Sequence, residues 1–247
     1  MDIKRHIPNS ITSLNLLSGS LSVVFSFAGE PRMAVWCILA AAVFDFLDGL
    51  AARLLHTSSP IGKELDSLAD AVSFGLAPAV MMFLLLGKAW GNTFPAWGPA
   101  VPYSTGWLLA LPAFLIAVFS ALRLAMFNLD ERQTTSFIGL PTPANALFIC
   151  GLSIASTQPG SIIAGWSSSP WFLLLYTLLC SYLLVSELPM FSLKFKSFGL
   201  KDHLKVYVFL GLSFVLLLMM GIAELSPVIL LYILLSAISR SKQNRLS

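Results

Sequence analysis

Asp45 and Asp48, followed by Asp66 and Asp70, set four carboxylates close together in a chain that otherwise avoids charge, and Gly49, Ala52, Arg53 and Gly62 are interleaved with them. Glu64 falls in the same stretch, although charged residues make up only 11% of the composition. On an α-helix, Asp45 and Asp48 stand about 60° apart around the axis and about 4.5 Å along it; Asp66 and Asp70 differ by about 40° and about 6 Å. Each pair therefore occupies one helix face. Four carboxylates in a low-dielectric setting need counter-charge, and two divalent cations would supply it. All-oxygen ligands without nearby Cys or paired His select Mg²⁺ or Mn²⁺. Such metals suit phosphoryl chemistry, in which they neutralise phosphate oxygens and the leaving group. Gly49 and Ala52 then leave room for a bulky ligand, and Arg53 offers a planar fork for phosphate.

The elements that hold these residues belong in a membrane. The 247 residues are 57% hydrophobic with a mean hydropathy of +0.82, more apolar surface than a soluble core of this size can bury. Apolar runs long enough to span a bilayer fall at 11–29, 33–55, 64–87, 105–127, 143–163, 170–189, 204–222 and 225–239. The expected fold is thus an all-α, polytopic bundle of about eight transmembrane helices, since backbone hydrogen bonding in lipid excludes open strands. Placing both termini in the cytoplasm leaves only Arg32 and Lys88, of 15 basic residues, on the outer side. The carboxylates then lie on the second helix, a cytoplasmic turn and the third helix. Asp45, about 15 Å from its helix end, requires a water-filled cavity open to the cytoplasm.

Two other readings weigh against a ligand site. A buried network of Arg53 and Lys63 with the aspartates leaves two cations facing four Asp and Glu64, an excess of negative charge that a ligand would have to balance. A proton or cation path would string acids along several helices, whereas the outer half of the chain is nearly free of ionisable groups.

Pro8, Asn9, Ser10 and Thr12 read as the start of the first helix, which continues with Asn15, Ser18, Gly19, Ser20 and Ser22 as an unusually polar and small segment suited to close packing. Asn9 and Thr12, level with the acidic residues, are either caps or ligand contacts. Pro78, near Gly75, is expected to kink the third helix. Cys37, Cys150 and Cys180 lack metal or disulfide spacing and read as structural thiols; His6, His56 and His203 share no ligand spacing either.

The string D-x2-D-G-x2-A-R-x8-G-x3-D-x3-D, met at every position from Asp45 to Asp70, resembles the signature of the CDP-alcohol phosphotransferase family. That resemblance implies an integral membrane enzyme, usually a homodimer, in which a core of six helices binds a CDP-linked donor and two divalent metals. By position, Asp45, Asp48 and Asp66 would ligate metal, and Asp70 would ligate metal or act as general base. Asn9, Thr12, Asp48, Gly49, Ala52, Arg53, Gly62 and Asp66 would line the CDP and diphosphate site.

Further stretches resemble the family's membrane-embedded phosphatidylserine synthases. These are Ile7-Pro8-Asn9 with Thr12 and Asn15, the run from Glu64 to Pro78, Arg123 to Asn128, Phe137 to Ala144, and Ser186 to Lys194; Met126 departs from that pattern where a basic residue is common. The implied reaction transfers a phosphatidyl group from CDP-diacylglycerol to L-serine at the cytoplasmic face of the inner membrane, with Asp70 taking the serine proton and CMP leaving. Other acceptors, glycerol phosphate, inositol phosphate or choline, fit the same chemistry, and a cation-coupled transporter is the rival outside it. Serine carries a carboxylate, for which Arg123 and Lys194 are candidate partners, with Asn128, Gly139 and Pro141 in the same cytoplasmic connections. Flanking charges that set topology, and prolines that shape the start of the fifth helix, are the competing explanation. One catalytic domain of 1–247 is expected, with the family core at about 1–196, extra helices at about 204–239, membrane lipid as its surroundings and no nucleic-acid partner.

Overall fold

The computed structural model describes residues 3–57, 59–91, 105–129, 137–158, 161, 163–187, 189–190, 226–227 and 229–230. Its helices are α1 (Ile3–Phe27), α2 (Pro31–Leu54), α3 (Pro60–Ala89), α4 (Gly106–Leu129), α5 (Thr142–Ala155) and α6 (Pro170–Val185), with a short helical turn at Ala164–Ser168. Among the described residues, α1 to α4 are long and apolar enough to cross a membrane, while α5 and α6 are shorter apolar helices. Lys194 and the expected seventh span lie outside the described residues, as does most of the eighth.

Proline and hydroxyl signals set the helix starts. Pro31, Pro60 and Pro170 occupy first-turn positions where a missing N–H costs nothing, and Ser59 and Ser169 accept hydrogen bonds from the first turns of α3 and α6. Three expectations shift. The first helix begins at Ile3, so Pro8 is inside it and Asn9 and Thr12 are helix-face residues and not caps. The fifth apolar run ends as a helix at Ala155 instead of about 163. The chain is also not wholly helical, since Phe137–Ile138 pairs antiparallel with Pro189–Met190 in a two-residue ribbon.

α3 is the axis of the bundle. In its most apolar stretch 67% is buried, against 28% in α1, α2 and α4, and it touches α1, α4, α5 and α6. Leu14, Leu17 and Leu21 on α1, Phe46 on α2 and Leu175 and Tyr182 on α6 instead point outward, where lipid is their natural solvent. Ahead of Pro78, residues Ala71–Leu76 form a π-helical turn, and the Ala77 N–H bonds the Val72 carbonyl five residues back. The wide turn takes up the backbone irregularity that Pro78 was expected to produce, so α3 continues through the proline to Ala89.

Interhelical contacts are short and partly polar. Ser22 donates to the Ala34 carbonyl at 2.9 Å, joining α1 to α2, and Tyr176 donates to Asn145 Oδ1 at 2.8 Å while its ring stacks on Phe148 at 4.1 Å, joining α6 to α5. Such bonds contribute about 0.6 kcal/mol each within a bilayer, less than the packing they accompany. The closest approach is between α1 and the π-helical turn, where a Cβ on Gly19 would lie 2.6 Å from Ser73 Cα. Backbone stands there, so nothing can give way cheaply. Gly19→Ala should therefore lower stability by about 1–3 kcal/mol, read as a lower unfolding temperature in detergent, whereas Ala at the exposed Ser20 should change little.

Candidate active site

α2 and α3 form a tight hairpin through residues 55–59, and its geometry brings the two acidic faces together. α2 closes with Thr57 N–H bonding the Ala52 carbonyl and His56 N–H bonding the Arg53 carbonyl, which puts His56 in the left-handed region at φ 49°. Ser59 then caps α3, accepting from Gly62 N–H at 3.0 Å. With the chain reversed in so few residues, Asp48 faces Asp66 across the pair.

Carboxylate oxygens of Asp45, Asp48 and Asp66 all lie within 4.8 Å of one another. At an effective dielectric of about 20, each ionised pair at that spacing repels by roughly 3 kcal/mol. Asp48 Oδ2 and Asp66 Oδ1 are buried without a hydrogen-bond donor. Unsatisfied acceptor oxygens of this kind are costly unless a cation takes their lone pairs. The residues fit a divalent metal held by oxygen, with Asp45, Asp48 and Asp66 as its ligands.

Asp70 is placed differently from the other three. It lies one turn further along α3, close enough to feel their charge, but its Oδ1 accepts from Asn15 Nδ2 of α1 at 3.2 Å. The Asn15 carbonyl in turn accepts from Ser73 Oγ at 3.0 Å. α1 and α3 run parallel here, in a register that sets Asn9 beside Gly62, Asn15 beside Asp70 and Gly19 beside Ser73.

A cavity of about 270 Å³ opens at the end of the bundle formed by the starts of α1 and α3 and the end of α2. It is lined by Pro8, Asn9, Thr12, Asp48, Gly49, Ala52, Thr57, Ser59, Gly62, Lys63 and Asp66. Seven of the eight residues expected at the CDP site are in that wall. The eighth, Arg53, is not: its Nε donates to the Gly49 carbonyl of its own helix at 2.9 Å. A Cβ on Gly62 would sit 2.9 Å from Asn9 Oδ1 and 3.0 Å from Ser59 Oγ, side-chain ends that would have to shift to admit it. Thr12 is buried beside Asp48 and donates to the Pro8 carbonyl at 3.0 Å. The first turn of α3 brings its positive dipole end to this space, which favours an anion.

The expected acceptor residues divide. Asn128, at the end of α4, donates to Ser67 Oγ at 2.7 Å and accepts from Lys63 Nζ at 3.1 Å, so it stands against the same part of α3 as the cavity. Arg123 is buried on α4 with its guanidinium 6.0 Å from the Phe127 ring centre. Gly139 has φ +79°, and a Cβ there would meet the Leu184 carbonyl at 2.8 Å, so its backbone packs on the end of α6. Pro141 precedes α5 as its N-cap.

Two residues were missed as site residues. In the sequence Asn15 reads as part of a small, polar packing face and of the opening stretch that resembles the family, and Lys63 as a cytoplasmic charge or ion-pair partner, with no site role for either. A helical stripe, Asn9, Thr12, Asn15 and Gly19 at spacings of three, three and four, is the signal that marks one side of α1 as facing α3.

Helices of membrane-spanning length with a carboxylate-lined cavity at one end define a membrane-embedded site whose donor set fits a cation. Residues 5–183 match the family model for CDP-alcohol phosphatidyltransferases, and the chain belongs to that family. It is similar to proteins named CDP-diacylglycerol--serine O-phosphatidyltransferase in several organisms. The Mycobacterium leprae protein is 39% identical over 191 residues, 74% of this chain and 57% of that relative. The Helicobacter pylori 26695 protein is 31% identical over 84% of this chain and 81% of the relative, and the Bacillus subtilis protein 31% over 74% and 88%. The chain thus spans a little over half the length of the mycobacterial relative and most of the other two.

The carboxylate cluster makes a direct forecast. Asp66→Asn should weaken Mn²⁺ binding, measured by electron paramagnetic resonance on the purified protein, by about tenfold or more, since even residues that only support a ligand cost that much. Unchanged affinity would remove Asp66 from the ligand set.

Proposed function

We propose that this protein transfers a phosphatidyl group from CDP-diacylglycerol to L-serine, releasing CMP, at the cytoplasmic face of the cell membrane. The observation that carries the reading is the convergence of Asp45, Asp48 and Asp66, of which Asp48 and Asp66 line a cavity together with Gly49, Ala52 and Gly62. The family supports a CDP-linked donor, and the names of the relatives support serine as acceptor. The charge distribution supports a bundle of about eight spans with both termini and the cavity on the cytoplasmic side.

Each part of the wall has a role in this reading. Asn9 and Thr12 face the nucleotide from α1. Lys63 and the first turn of α3 attract the diphosphate. Two divalent cations, Mg²⁺ or Mn²⁺, held by the aspartates would neutralise phosphate oxygens and the leaving group. Arg53 would turn from the Gly49 carbonyl towards phosphate when donor binds. Asp70 stands apart from the three-carboxylate cluster and takes the proton of the serine hydroxyl as its oxygen attacks the phosphorus that bears diacylglycerol. The cavity, about 270 Å³ and lined largely by polar and small residues, suits the polar part of the donor, and the two acyl chains stay between helices in the lipid. The serine carboxylate is assigned to Arg123 and Lys194, and Asn128 to the same acceptor pocket.

The decisive assay measures CMP release from CDP-diacylglycerol in mixed micelles with Mg²⁺ or Mn²⁺ and a panel of alcohols. Serine should support release, while glycerol phosphate, inositol phosphate and choline should not; equal release with all of them, or none with any, overturns the assignment. Chelation of the metal should abolish release and Mn²⁺ should restore it. Asp70→Asn should reduce kcat by about 10²–10⁴, and full turnover in that variant would rule out Asp70 as base.

A further inference from the structure

Asn15 lies outside the acidic motif and is wholly buried on α1. Its Nδ2 donates to Asp70 Oδ1 at 3.2 Å, and its carbonyl accepts from Ser73 Oγ at 3.0 Å. One turn further on, Gly19 brings the α1 backbone against Ser73. These contacts tie one turn of α1 to the point where α3 passes from α-helix into the π-helical turn Ala71–Leu76. The other amide atom of Asn15, Oδ1, is buried with no donor. The amide therefore has one polar engagement, and turning it over would set two acceptors against each other at Asp70.

We propose that Asn15 is a positioning residue for Asp70: by committing Oδ1 it fixes the carboxyl plane and leaves Oδ2 as the oxygen that receives the acceptor's proton. The inference rests on the phosphatidyl transfer proposed above. In that step the acceptor O–H bond breaks as its oxygen bonds phosphorus. The bond from phosphorus to the CMP oxygen breaks with its electron pair leaving on CMP, and the proton ends on Asp70 Oδ2. A carboxylate swinging about its terminal torsion would offer its lone pairs in changing directions, because that torsion is broad and weakly restrained. Misplacement of a reacting group by about 1 Å can cost about 10²-fold in rate, so a single buried hydrogen bond at this position matters to turnover.

Asn15→Leu keeps the side chain's size and removes its donor. In the full chain in detergent micelles, kcat for CMP release should fall about ten- to hundredfold. KM for both substrates, Mn²⁺ affinity and unfolding temperature should stay near those of the unsubstituted protein, the pattern of an interaction that matters only in the transition state. Asn15→Ala removes the whole amide without adding a charge, and it takes the place of Asn15→Leu if that variant does not fold; the same fall in kcat with unchanged Mn²⁺ affinity is expected. Unchanged kcat overturns the inference, and so does a loss of kcat matched by weaker Mn²⁺ binding and a lower unfolding temperature, which marks a merely structural residue. If the unsubstituted protein releases no CMP, the proposed function fails and the inference falls with it. If it does and the Asn15 variants match it, the inference alone fails.

Discussion

Three carboxylates within 4.8 Å of one another, on helices long and apolar enough to cross a membrane, repel by an amount comparable to a large share of a domain's net stability. The fold has to supply that stress from elsewhere and then relieve it with something positive. The α2–α3 hairpin supplies the proximity: a left-handed His56, a capping Ser59 and Pro60 at the first helical position reverse the chain in five residues. Relief comes from the open side, where helix starts, Lys63 and room for cations face the same space.

α3 carries two jobs on one helix. Its first half, up to Asp70, is polar on one face and borders the cavity; its second half is the buried axis against which α4, α5 and α6 pack. The π-helical turn lies at the junction. A wider turn changes the angular relation between residues before and after it, so the site face and the packing face can each be oriented for its own partners. α1 holds the junction in place through Ser73 and Gly19. The close parallel register of α1 and α3 is possible because the facing residues are small or can hydrogen-bond.

Much of this was legible in the sequence, and for identifiable reasons. The span positions of α2, α3 and α4 follow from length and apolarity, and the acidic faces follow from helical spacing alone, so both appear as expected. Gly49 and Ala52 are readable as absent side chains, and the cavity does form against them. Side-chain direction was not readable. Whether Asp70 joins the other carboxylates or turns to Asn15 depends on the register between α1 and α3, which no local spacing encodes. Arg53 is long enough to reach either phosphate or its own helix, and with no anion beside it the nearby Gly49 carbonyl wins. For Gly139 the sequence leaves pocket lining and helix entry open, and its positive φ and the closeness of the Leu184 carbonyl add a packing reason for glycine that no local spacing encodes. A helix end is not legible where a proline stands near it: Pro8 reads as a start, but it lies inside α1.

The small volume of the cavity has a consequence for how fast such a protein works. If the acyl chains of a donor never leave the bilayer, the protein meets its lipid substrate by diffusion in two dimensions. The quantity that governs encounter is then the mole fraction of donor among the surrounding lipids, not its amount per volume of solution. Diluting the membrane with inert lipid would slow turnover even at fixed total donor, whereas a soluble acceptor would still be felt as an ordinary concentration. In the proposed reaction the two substrates of one site would thus obey different laws of supply.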